Sequence, residues 1–170
     1  MDTQRLQQAI AEVREAIDTM SRALSELEQA VWFSSEPDQK SGSQPLHQVE
    51  LWCDGGLHGP NPGSPLYGSY AFGDVKETVE FGVSGSNNEA EYLALLAGLE
   101  AISKAYNPAI VYVTIKTDSD LVRLQVLGAW KAKAEHLRRL RNKVQRKLDD
   151  FGDFRFQHVP RADIVAMLGH

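Results

Sequence analysis

Residues 109 to 117 read Ala-Ile-Val-Tyr-Val-Thr-Ile-Lys-Thr, nearly continuous in branched and aromatic side chains. A strand with one wet face alternates apolar and polar residues, whereas an unbroken run is covered on both faces. This single segment therefore points to a layered α/β fold with helices on both sides of a sheet. The apolar run Val49-Glu50-Leu51-Trp52-Cys53 predicts a strand over 48 to 54. A Pro/Gly-rich loop through Gly63 and two alternating runs, near 66 to 73 and 75 to 83, extend it into an antiparallel meander. Asn87 and Asn88 are expected to cap a helix from Glu89 to Tyr106, with Leu95, Leu96, Leu99 and Ile102 on its apolar face and Asn107-Pro108 as its stop. Beyond the covered strand come a helix over 120 to 127, a break at Gly128, and a long basic helix over 133 to 149. An edge strand over 154 to 159 and a short terminal helix finish the chain. The order βββαβααβα predicts a five-stranded mixed sheet, three antiparallel strands followed by parallel ones, flanked by helices.

The N-terminus has a different period. Leu6, Ile10, Val13, Ile17, Met20, Leu24, Leu27 and Val31 recur at alternating spacings of four and three, the seam of a heptad coiled coil. Ala9, Ala16, Ala23 and Ala30 widen the apolar face beside it. Dimer, antiparallel pair and larger bundle all satisfy this pattern, as does a helix folded back on its own domain. From Ser34 to Pro45 no aromatic or branched apolar residue occurs, which reads as a flexible linker. The expected organisation is a coiled-coil helix over 1 to 33, a linker over 34 to 46, and a catalytic domain over 47 to 170. The heptads call for a homo-oligomer through residues 6 to 31, or for a coiled-coil partner protein.

With 42% hydrophobic residues the chain has material for a core, and no apolar stretch approaches the ~20 residues needed to cross a bilayer. The N-terminus does not resemble a secretory signal, so a cytoplasmic location is the expectation. The lone cysteine, Cys53, has no disulfide or metal-site partner and reads as a buried strand residue. Net charge is −5, but residues 121 to 147 carry nine basic side chains against Glu135 alone, a local +8 that leaves −13 elsewhere. A basic stripe on an acidic molecule suits contact with a phosphate backbone, and a solvated helix face has the same composition.

Four acids stand where separate elements would deliver carboxylates to one point. Asp54 ends the first strand and precedes Gly55-Gly56, Glu91 lies one turn into the helix after the asparagines, and Asp118 follows the covered strand. Asp163 falls near the terminal helix. Clustered carboxylates repel one another unless cations neutralise them, and all-oxygen ligands favour Mg²⁺ or Mn²⁺. The chemistry implied is metal-assisted phosphoryl transfer.

Over roughly residues 48 to 170 the chain resembles the type 1 ribonuclease H family. The resemblance is carried by Asp54-Gly55-Gly56, Asn61-Pro62-Gly63, Ser86-Asn87-Asn88-Glu89-Ala90-Glu91-Tyr92 and Thr117-Asp118-Ser119-Asp120-Leu121-Val122. It continues through Gly128-Ala129-Trp130-Lys131-Ala132-Lys133 and Val159-Pro160-Arg161-Ala162-Asp163-Ile164-Val165-Ala166. It implies hydrolysis of the RNA strand of RNA–DNA hybrids with two Mg²⁺ ions, or Mn²⁺, leaving 5′-phosphate and 3′-hydroxyl ends. Asp54, Glu91, Asp118 and Asp163 would be the catalytic metal ligands. Gly55, Asn61, Asn87 and Asn88 would contact the substrate, the amides along the minor groove, while Trp130, Lys131 and Lys133 would meet the DNA strand.

The chain departs from that family in two places. Arg161 runs straight into Ala162-Asp163, where the family has several intervening residues, often including an Asn. Asp163 is aligned with the last family Asp, and the short connection also admits a site of three acids. No residue matches the mobile histidine found in many members; His158 lies within the last strand and His170 at the terminus. Asp149, Asp150 and Asp153 read as a helix end and turn, and Trp52 as core. A non-catalytic adaptor, binding nucleic acid through the fold and a partner through the coiled coil, is the competing reading.

Overall fold

The computed structural model describes residues 46 to 169, together with Glu12, Val13, Ala16, Thr19 and Met20. Those five residues are helical and exposed, and belong to a unit spanning Met1–Ser43 that is separate from the unit Gln44–His170. Most of the heptad seam and the linker to Pro45 lie outside the described residues.

The second unit runs β1 (His47–Leu57), β2 (Ser64–Phe72), β3 (Val75–Gly85), α1 (Asn87–Ala105), a 3₁₀ turn (Pro108–Ile110), β4 (Val111–Thr117), α2 (Asp120–Val126), α3 (Glu135–Leu148), β5 (Asp153–His158) and α4 (Arg161–Leu168). The sheet order is β3-β2-β1-β4-β5. The meander β1-β2-β3 is antiparallel, and β1-β4 and β4-β5 are parallel, as the alternation of strand and helix patterns requires. β5 is an edge, in keeping with its alternating sequence.

The main core lies on one face of the sheet. Val49, Leu51 and Cys53 of β1 and Val111, Val113 and Ile115 of β4 pack with Tyr92, Leu95, Leu99 and Ile102 of α1. Val122 and Val126 of α2 and Leu137, Val144 and Leu148 of α3 complete it. Leu51, Leu95, Leu99, Ile102 and Ile115 are essentially sealed from water, each worth ~2 kcal/mol of transfer free energy. The polar atoms caught among them are satisfied: the Tyr92 hydroxyl donates to Gln125 Oε1 at 2.9 Å, and the Gln145 amide donates to the Val126 carbonyl at 2.8 Å. On the opposite face a smaller cluster, Ala71, Val159, Ile164 and Leu168, docks α4 beside Trp52.

Some boundaries differ from expectation. The cap of α1 is Ser86 rather than Asn87 or Asn88, and Ser86 and Glu89 form a reciprocal capping box. Both asparagines are the first helical residues. The covered strand begins at Val111, because Pro108 starts a 3₁₀ turn capped by Asn107. The basic helix begins at Glu135, two residues later than its charge pattern suggested. Trp52 is only partly buried, with the Lys116 ammonium 4.5 Å from its ring centre. Cys53 is buried as expected, with its thiol pushed up by burial first and by Asp54 next, which keeps it neutral and inert. Asp149 caps the end of α3, and Asp150 pairs with Lys147, the helix end that the sequence predicted.

Candidate active site

The parallel register of β1 and β4 places Trp52 opposite Lys116. Asp54 and Asp118 each lie two residues further along, so they leave adjacent strands side by side on the same face. Asp54 is still within β1, whereas Asp118 sits just past the end of β4. Asp54 is nearly sealed, its side chain 3% exposed, and that of Asp118 is 18% exposed.

Glu91 comes from the first turns of α1, held close by Gly55. A Cβ at Gly55 would lie 2.1 Å from the Ala90 carbonyl carbon and 2.3 Å from the Glu91 amide nitrogen. Only a glycine lets the helix backbone approach the strand that carries Asp54. Gly55, expected among the substrate contacts, is thus buried against α1.

Two donors orient the Glu91 carboxylate. Ser119 Oγ donates to Oε2 at 2.5 Å, and Asn87 Nδ2 donates to Oε1 at 2.9 Å. Ser119 is also the cap of α2, its oxygen accepting from the Val122 amide at 3.3 Å. Asn87 is tied in turn to the β1–β2 loop, because its backbone amide donates to Asn61 Oδ1 at 3.2 Å. Burial raises the Glu91 pKa, the Ser119 bond opposes it, and Asp54 and Asp118 raise it further; the outcome is about 7. Asp54 and Asp118 thus lie near enough to Glu91 to act on its charge.

Asp163 does not join them. It is exposed in the first turn of α4, and none of the hydrogen bonds or ion pairs among the described residues involves its carboxylate. The reason is the short connection: Pro160 caps α4, so Arg161 is already helical. Ile164 and Leu168 face the sheet, and Asp163 turns outward. Arg161 reaches Asp54 and Asp118 instead. Its Nη1 donates to Asp54 Oδ2 at 2.7 Å and to Asp118 Oδ2 at 3.3 Å. Partial burial pulls the guanidinium down, but the bonds to Asp54 and the fields of both aspartates outweigh that and hold it above its ordinary value.

Among the described residues no three His, Cys, Asp or Glu side chains stand close enough to enclose a metal ion unaided. The donor chemistry nevertheless suits one. Asp54 and Asp118 offer hard oxygens to a shared point where a cationic nitrogen sits, and Glu91 adds a third carboxylate to the same field.

The remaining expected contacts sit on α1 and on the segment between α2 and α3. Asn88 is half-buried on α1. Trp130, Lys131 and Lys133 are exposed and anchored by the buried Ala132 between them. Arg138, Arg139, Lys143 and Arg146 form an exposed face of α3. His158 is exposed at the end of β5, its Nε2 4.0 Å from Asp120 Oδ1. Two residues in contact with the acids were not singled out by the sequence: Ser119, signalled by a hydroxyl at a helix start, and Arg161, which nothing in its local pattern marks.

A mixed sheet of this order, with aspartates at the ends of its parallel central pair and a helix-borne glutamate beside them, defines a ribonuclease H-like domain. Residues 73–166 match the family described as reverse transcriptase-like, and the chain belongs to that ribonuclease H-like family. Ribonuclease HI of Halobacterium salinarum is 37% identical over 119 residues, 68% of this chain and 58% of that protein. The crystal structure of the RNase H1 of that organism superposes with a TM-score of 0.64 at 32% identity, covering 72% of this chain and 94% of that one. A bifunctional protein of Mycobacterium tuberculosis is 34% identical over 121 residues, 68% of this chain and 32% of that protein. LC11-RNase H1, solved in complex with an RNA/DNA hybrid, has a TM-score of 0.63 at 25% identity and covers 69% of this chain and 89% of that one. The chain thus spans 58% and 32% of the lengths of the two curated relatives.

Proposed function

We propose that the domain is a ribonuclease H that hydrolyses the RNA strand of RNA–DNA hybrids, leaving 5′-phosphate and 3′-hydroxyl ends. The observation that carries this reading is the convergence of Asp54 and Asp118 on one cationic point, with Glu91 anchored to Ser119, the neighbour of Asp118. Asp54, Glu91 and Asp118 would hold Mg²⁺ or Mn²⁺, two ions in the full reading. Bound there, such ions lower the pKa of the attacking water and stabilise the departing 3′ oxygen.

The protein groups supply position and charge. Burial in β1 holds Asp54 in place, and Ser119 and Asn87 fix the rotation of Glu91, so that these carboxylates would be presented to a bound ion. Trp130, Lys131, Lys133 and the basic face of α3 hold the phosphates of the duplex without reading its sequence. Asn61, which also accepts from the Asn87 amide, and Asn88 would meet the 2′-hydroxyl side of the minor groove, the contact that separates RNA from DNA. One amide of Asn87 is engaged by Glu91, so its part in recognition runs through the acid it orients. The heptads at residues 6 to 31 call for a second copy or a coiled-coil partner protein, and a second copy would raise the effective concentration on a long hybrid.

A non-catalytic adaptor is the second reading, favoured by Arg161 standing among the acids and by the outward Asp163. Incubating the protein with labelled hybrid, double-stranded RNA and double-stranded DNA, in Mg²⁺, Mn²⁺ or EDTA, decides between them. Metal-dependent cutting of RNA in the hybrid alone, abolished by Asp54→Asn, is expected. Binding without scission in every condition selects the adaptor.

A further inference from the structure

Arg161 Nη1 bridges Asp54 Oδ2 and Asp118 Oδ2 at 2.7 and 3.3 Å. The three side chains differ in freedom: those of Asp54 and Asp118 are 3% and 18% exposed, that of Arg161 is 55% exposed. Asp54 is fixed within β1 and Asp118 just past the end of β4, and the arginine reaches them from the solvent side. It is the partner able to leave.

Its placement follows from the docking of α4. Ile164 is fully buried and Leu168 is 3% exposed, packed with Ala71, Val159 and Trp52. With those two residues turned to the sheet and Pro160 capping the helix, Arg161 projects over the end of β1. A guanidinium there offsets the mutual repulsion of the two carboxylates. One point between the two Oδ2 atoms cannot hold both a guanidinium nitrogen and a divalent ion.

We propose that Arg161 is the resident counter-cation of this site and sets its affinity for divalent metal: ion and guanidinium compete for Asp54 and Asp118, and loading requires Arg161 to swing outward. The inference rests on the reading of these acids as cation ligands. It assigns Arg161 a positioning role, because the guanidinium holds the two carboxylates together before the ion arrives and determines how tightly the ion is then held.

The test measures Mn²⁺ binding to the full chain without nucleic acid, by calorimetry or by the loss of the free-ion electron paramagnetic resonance signal. The proteins compared are the unmodified chain, Arg161→Gln, Arg161→Lys and Asp118→Asn. Arg161→Gln should bind Mn²⁺ roughly tenfold more tightly. Arg161→Lys, which keeps the charge on a shorter side chain, should fall between. In EDTA, Arg161→Gln should melt at a lower temperature than the unmodified chain, because the buried Asp54 has lost a cation, and saturating Mn²⁺ should erase the difference. Equal Mn²⁺ affinity in the unmodified chain, Arg161→Gln and Arg161→Lys, with binding lost in Asp118→Asn, overturns the competition and leaves the acids as ligands. Absence of binding in every protein overturns the competition and the ligand reading together. Arg161→Lys keeps a charge beside Asp54 and decides the matter if Arg161→Gln does not fold.

Discussion

The carbonyl carbon of Ala90 lies 2.1 Å from the point that a Cβ on Gly55 would occupy. Strand and helix meet backbone to backbone there, which brings Glu91 to the acid end of β1. Gly55→Ala must push α1 away against the packed Leu95 and Leu99, an overpacking cost of about 3 kcal/mol or more. Urea denaturation should show that loss, and Mn²⁺ affinity should drop with it because Glu91 retreats.

Glu91 gives stability a pH dependence in the metal-free protein. The unfolded chain releases this proton near 4.5, the folded chain at about 7. Between those values the folded state holds the proton and the unfolded state does not, so stability is full below pH 4.5 and is lost as pH rises through 7. The loss is at most about 3 kcal/mol. Thermal melts in EDTA at pH 5 and pH 8 should show it, and Glu91→Gln should flatten the slope. Mg²⁺ should stabilise the protein more at pH 8 than at pH 5.

Ser119 has two jobs in one hydroxyl, accepting from the Val122 amide and donating to Glu91. Ser119→Ala should cost about 1–2 kcal/mol through the lost cap and the unsatisfied carboxylate. Ser119→Thr keeps both bonds and should recover stability and metal affinity alike. Ser119→Asp keeps the cap but cannot donate at neutral pH, and should recover the first without the second.

Asp163 is exposed and apart from the other acids. Asp163→Asn should leave stability within about 0.5 kcal/mol and hybrid cleavage within about twofold. A hundredfold loss of cleavage would show that α4 turns to bring this carboxylate inward.

Periodicity read the sheet well because each strand declares its burial in its own residues. The unbroken run ending at Thr117, the alternation of Phe154, Phe156 and His158, and the turn-rich loop through Gly63 fixed type and order without reference to partners. The cap of α1 was also written locally, in the Ser86 to Glu89 spacing, and was misread because the adjacent asparagines are good caps themselves. Asp54, Glu91 and Asp118 could be found because each follows a strand or helix start whose position periodicity supplies.

Asp163 and Arg161 could not be sorted this way. Which of the two enters the site depends on the rotation of an eight-residue helix, set by how Ile164 and Leu168 pack against Ala71 and Val159. Those partners are far apart in sequence, and no local period encodes the angle between them. The amino-acid order alone determined the layers, the strand sequence and three acids brought to one end of a sheet. Tertiary packing alone decided that the cation now shared by two of them is an arginine, because only the docked helix puts that side chain within hydrogen-bond reach.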